Sequence, residues 1–140
     1  MPWVDKRENT LLDIMSKLVP LQTAGTIKTL DRNPIGKITA EEMDAVYLFE
    51  GQDNIIQNVK RDVLGPQQRN LSLVAELWVY QPDISLQSNQ LRNLYNEVRK
   101  AILLNTGLFE RSLTSVYTTA VPGVLGVGLV MDLKYINDGN

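Results

Sequence analysis

Apolar residues recur along the chain at two spacings, and the switch from one to the other sets the elements. Leu11, Ile14, Met15 and Leu18 follow the i, i+3, i+4, i+7 spacing of one helical face. They predict a first helix from about Lys6 to Leu18, with Asp5 or Asn9 as caps and Pro20 as its stop. The β-branched, alternating stretch from Thr23 to Leu30 predicts a strand that breaks at Asp31-Arg32-Asn33-Pro34. Ala45-Val46-Tyr47-Leu48-Phe49-Glu50-Gly51, a short apolar run closed by a glycine, predicts a buried strand. From Gln52 to Gln68 the chain is polar, holds Gly65-Pro66 and offers only the apolar pair Ile55 and Ile56. A stretch of that length predicts a functional or mobile excursion.

Asn70 to Tyr80 is the clearest strand. Leu71, Leu73, Ala75, Leu77 and Val79 fall on one face, and Asn70, Ser72, Glu76, Trp78 and Tyr80 on the other. Trp78 and Tyr80 beside Val74 make the second face amphipathic, which fits an interface or partial cover by a loop. Ser85 or Ser88 caps a helix whose stripe is Leu91, Leu94, Tyr95, Val98, Ala101 and Ile102, closed by Asn105-Thr106-Gly107. Leu113 to Ala120 reads as a strand, Val121-Pro122-Gly123 as a turn, and Gly126 to Ile136 as a last alternating strand before a frayed tail. The order α-β-β-β-α-β-β predicts a single α+β domain over residues 1–140. Its expected form is a two-layer sandwich, a mixed, mostly antiparallel sheet with the helices on one face.

Composition narrows the chemistry. Apolar residues make up 44% and charged residues 21%, far from the composition of disordered chains. Fourteen basic against sixteen acidic residues, with no long run of like charge, are a poor footprint for duplex DNA or anionic membrane. There is no cysteine and no histidine. That excludes thiolate nucleophiles, disulfides, Cys/His zinc sites, Ser-His-Asp triads and imidazole acid-base catalysis, leaving carboxylate, lysine, tyrosine or oxygen-ligated metal chemistry. The charged start of the chain lacks the apolar core of a secretory signal, and no stretch approaches the ~20 apolar residues that span a bilayer. The expectation is a protein soluble where it is made, in a reducing cytoplasm.

Three groups could carry chemistry. Glu41, Glu42 and Asp44, with Asp31 or Asp53, could hold a divalent cation through oxygen, although none has the spacing of an EF-hand loop and a solvated segment is the plainer reading. Gly123-Val124-Leu125-Gly126-Val127-Gly128 looks like a nucleotide loop, but it leads into a strand instead of a helix and no P-loop lysine follows. It reads as a turn followed by a strand with room for close backbone approach. Arg32, Lys37, Lys60, Arg61 and Arg69 read singly as solubility charges, or around a ring opening as contacts to phosphates or an acidic partner.

The opening helix, the strand ending in Asp31-Arg32-Asn33-Pro34, the Ala45–Gly51 strand, the long Asn70–Tyr80 strand and the Leu91–Leu104 helix form a familiar series. The Asn105-Thr106-Gly107-Leu108-Phe109 turn and the two closing strands complete it. In order, length and residue type, from about Leu11 to Ile136, this layout resembles the tail-terminator (tail-completion) family of long-tailed bacteriophages. Members often have a glycine pair after the second helix, where this chain has Gly107-Leu108-Phe109-Glu110.

The resemblance implies a structural virion protein, not an enzyme, with no cofactor and no catalytic or metal-binding residue. Such proteins form a ring, commonly a hexamer, that caps the head-proximal end of the tail tube, ends its polymerisation and presents a surface to the head connector. The implied partners are copies of itself, the tail tube protein and the head-tail connector or stopper, with DNA only passing through the lumen and no membrane. The implied location is the virion tail or neck, and the host cytoplasm during assembly. A closed ring needs two different complementary patches on each subunit. The candidates are the aromatic side of the long strand at Trp78 and Tyr80, the apolar turn Leu108-Phe109, and the polar excursion with Asp53, Lys60 and Arg61. The rival readings are another neck or tail subunit, such as a head-tail stopper or tube-associated protein, and a small carboxylate- or metal-dependent enzyme built on Glu41, Glu42, Asp44 and Asp53.

Overall fold

A computed structural model describes residues 6–34, 39–58, 67–103 and 108–137. Helix α1 (Lys6–Thr23) runs past its predicted stop, with Pro20 inside it. Proline this close to the end removes only one backbone bond, and Leu21 beyond it still packs on the core. The true stop is Gly25, at φ 83°, where the Leu21 carbonyl accepts from the amides of Thr26 and Ile27 at 2.9 and 3.3 Å. The strand expected from Thr23 therefore shrinks to β1 (Thr29–Arg32).

After a single 3-10 turn at Ala40–Glu42 come β2 (Ala45–Asn58) and β3 (Gln67–Tyr80). Residues 52–58 and 67–68, expected to belong to an excursion, are instead the paired arms of a ribbon. Helix α2 (Ile84–Ile102) is capped by Asp83, whose carboxylate accepts from the Ser85 amide at 3.0 Å, two residues before the first of the serines expected to cap it. Its closing Asn105-Thr106-Gly107 lies outside the described residues. The last strands are β4 (Leu108–Leu113), β5 (Tyr117–Thr118) and β6 (Val124–Asn137). The strand expected over Leu113–Ala120 is thus divided, its start moved back to Leu108.

The result is two helices and a six-stranded mixed sheet in the order β1-β2-β3-β6-β4, with β5 also on β6. Only β1–β2 is parallel. β3 and β6 pair without interruption from Gln67↔Asn137 to Tyr80↔Val124. Leu71, Leu73, Ala75, Leu77 and Val79 join Leu125, Val127, Leu129, Met131 and Leu133 in one core with Leu11, Ile14 and Leu18 of α1 and Leu91, Leu94, Val98 and Ile102 of α2. Burying each of the leucines, isoleucines, valines and the methionine contributes about 1.5–3 kcal/mol, which is what holds both helices to this side. A second, smaller cluster of Ala45, Tyr47, Trp78 and Val124 forms on the other face. Among the described residues no helix is long and apolar enough to cross a membrane.

Candidate assembly surface

Trp78 points away from the helices but is only 5% exposed. Its indole stacks on Tyr117 at 5.9 Å and 29°, and its Nε1 donates to Glu76 at 3.1 Å. The side chain expected to anchor an interface at Trp78 is thus covered by the β5 segment of its own chain. Leu108, expected at the same kind of contact, is also covered by its own chain. The apolar turn Leu108-Phe109 is the start of β4, and alternation sends Leu108 into the main core at 5% exposure and Phe109 outward at 58%. Lys134 Nζ sits 5.4 Å from the Phe109 ring centroid. Tyr80 is 41% exposed. The register Phe109↔Asp132↔Ser72 puts Phe109 on the same sheet face as Tyr80, but eight residues, roughly 26 Å, along β3 from it. They do not form one patch.

The predicted polar excursion is held by a charge network. Asp53 accepts from Arg7 at 3.1 Å, Arg69 at 3.0 Å and the Tyr135 hydroxyl at 2.5 Å. Glu50 accepts from Arg7 at 2.8 Å, Arg32 at 2.9 Å and Asn33 at 2.8 Å, and Arg32 also grips Glu8 with two bonds of 2.6 and 2.8 Å. Burial alone would raise the Glu50 carboxyl, but the bonds from Arg7, Asn33 and Arg32 together outweigh it and hold the group below its usual range. Burial, then the bond to Asp53, pushes the Tyr135 hydroxyl up to about 12. Asp53, Arg32 and Arg69 are thus committed to tying α1 to the ribbon and are not free contact residues. Lys37, Lys60 and Arg61 lie outside the described residues.

The four carboxylates of the metal reading are dispersed. Glu42 accepts from the Tyr47 hydroxyl at 2.7 Å, Asp44 accepts from the Gln90 amide at 3.1 Å, Asp53 sits in the network above, and Glu41 is exposed. Among the described residues no three acidic, histidine or cysteine side chains converge. The glycine run answers packing: Gly123 turns at φ 81°, and Gly126 and Gly128 lie beneath Trp78 and beside Thr114 and Tyr117.

Exposed apolar side chains fall in separate places. Ile55, Ile56 and Ile136 mark the far end of the ribbon. Leu113 and Val116 line a cavity of about 370 Å³ on one flank of α2, with Ser88, Leu91, Arg92 and Tyr95. Leu86 lines one of about 350 Å³ on the other flank, with Asp44, Gln90, Asn93 and Glu97. Sequence reasoning missed both flanks. The only hint was that Leu113, five positions on, falls out of alternation with Leu108. No known protein-family pattern matches the chain, and no curated protein matches it.

Proposed function

We propose that this chain is a structural virion subunit that assembles with copies of itself into a ring, capping the head-proximal end of a phage tail tube and joining it to the head connector. The observation that carries the reading is that the exposed apolar residues divide into non-equivalent patches, at the ribbon end and on the two flanks of α2. A head-to-tail contact requires two unlike surfaces of this kind, whereas a two-fold dimer needs only one.

The strand edges support it as well. In this reading the helices form one layer and the sheet the other. Register shifts at Glu50/Asp53 and Ile55/Gln57 fall in the part of β2 beyond its pairing with β1, and that at Glu110/Ser112 falls in β4; there the outer side has no partner strand among the described residues. Bulges there discourage open-ended strand addition, so contacts between copies are left to side-chain surfaces and can close.

Particles assembled without this protein test the assignment. Tails of uncontrolled length are expected. Filled heads that fail to join tails of normal length would assign it instead to a head-tail stopper, and normal particles would remove it from the virion altogether.

A further inference from the structure

Helix α2 carries opposite charge on its two flanks. Arg92 and Glu97 are five positions apart, about 140° around the helix, on either side of the buried stripe Leu91, Leu94, Val98 and Ile102. Arg92 borders the cavity of about 370 Å³ that α2 forms with β4. Glu97 borders the one of about 350 Å³ that it forms with Thr26 and Asp44, which precede β1 and β2. The two cavities are similar in size and open to opposite sides.

Among the described residues neither flank is fully neutralised. Arg7, Arg32, Arg69, Arg99 and Arg111 are all ion-paired. Arg92 is the one arginine among the described residues with no ion pair, and it lies beside the exposed apolar Leu113 and Val116. Across the helix, the Asp44 carboxylate is half-buried and faces the Gln90 amide, with no cation beside it among the described residues. Burial raises that carboxyl above its usual range, as expected of an acid without a counter-ion. Glu97 has only Lys100, at 3.9 Å on the exposed helix surface. A cavity walled by Asp44, Asn93 and Glu97 with Leu86 at its side suits an arginine, whose stem lies on the apolar wall while its guanidinium meets amide oxygens and carboxylates.

We propose that the two flanks of α2 are the two halves of one head-to-tail contact between copies of this chain, Arg92, Leu113 and Val116 of one copy seating in the Asp44–Asn93–Glu97 cavity of the next. This rests on the ring reading above and names the surfaces that close the ring. The occupant follows from charge complementarity: each flank offers what the other lacks, and one contact repeated around a ring satisfies every copy.

The test uses the purified full chain, R92E, E97R, the double variant R92E/E97R and a 1:1 mixture of the single variants, compared by sedimentation velocity. Both side chains are exposed, so unchanged thermal melting checks that each variant folds. The parent should assemble, and each single variant should weaken assembly by at least about tenfold, because every contact then opposes like charges. The double variant and the mixture should both regain assembly relative to the single variants, since the 92–97 pair is again of unlike charge at every junction of the double variant and wherever the two single variants alternate in the mixture. A parent that assembles with single variants that assemble equally well overturns this contact and leaves the ring reading standing. Single variants that dissociate but are rescued by neither the double variant nor the mixture also overturn it, and assign the flanks to another partner. A parent that is monomeric throughout overturns the ring reading and this contact together.

Discussion

Trp78 lies flat against Gly126 of the neighbouring strand, so closely that a Cβ on Gly126 would stand 2.5 Å from the indole Cδ2. The indole cannot lift away, because Tyr117 is stacked on it. Gly126→Ala should therefore destabilise the protein by roughly 1–3 kcal/mol, the usual cost of overpacking, even though alanine suits a strand no worse than glycine. Urea denaturation followed by tryptophan fluorescence measures it. An unchanged midpoint would mean that the indole has room to move.

Trp78 and Phe109 should separate cleanly when each is replaced by alanine. Trp78→Ala empties the second cluster and should cost about 3–5 kcal/mol of folding stability. Phe109→Ala removes an exposed ring and its contact with Lys134, about 0.5–1 kcal/mol at an exposed position, so melting should barely change. If Phe109 touches a neighbouring copy, its loss appears in sedimentation alone. Equal effects on melting would contradict the assignment of inside and outside.

The charge network predicts a defined acid sensitivity. Glu50 ionises below the usual glutamate value of 4.5 in the folded chain, so its ionised form favours folding. Its contribution is complete above 4.5 and fades as pH falls toward and through the lowered folded value. Denaturation midpoints between pH 7 and pH 3 should fall more steeply for the parent than for Glu50→Gln, which keeps the shape but has no charge to lose. Parallel profiles would show that Arg7 and Arg32 add nothing through Glu50.

Tyr135 predicts the alkaline limb. Its hydroxyl is raised to about 12 in the folded chain from 10.0, so the neutral form favours folding. That contribution is full below pH 10 and is lost as pH rises to about 12. Tyr135→Phe should flatten the loss of stability between pH 10 and pH 12, read by urea midpoints across that window.

What the sequence disclosed and concealed follows from how local each constraint is. The α2 stripe and the β3 alternation were legible because each answers one large apolar surface at a regular period. Pro20 misled because the core contact of Leu21 beyond it offsets the backbone bond that proline removes, and the real stop at Gly25 is a backbone conformation, not a hydropathy change. The long arms of β2 and β3 were hidden because their inner side carries Glu50, Asp53 and Arg69, which meet Arg7 of α1, Arg32 of β1 and Tyr135 of β6. Such residues look like solvated loop until Arg7 is found 46 residues from Asp53. The cover over Trp78 comes from Tyr117, 39 positions on, and no strand pattern announces it. The unpaired state of Arg92 is likewise visible only once the other arginines have found their partners.

In the proposed assembly, copies of this chain close on one another. Sedimentation velocity of the purified full chain over a wide concentration range, with electron images of the same sample, decides it. A discrete closed species of one fixed copy number, visible as a ring, is expected. A single 15.8 kDa particle at every concentration would contradict it.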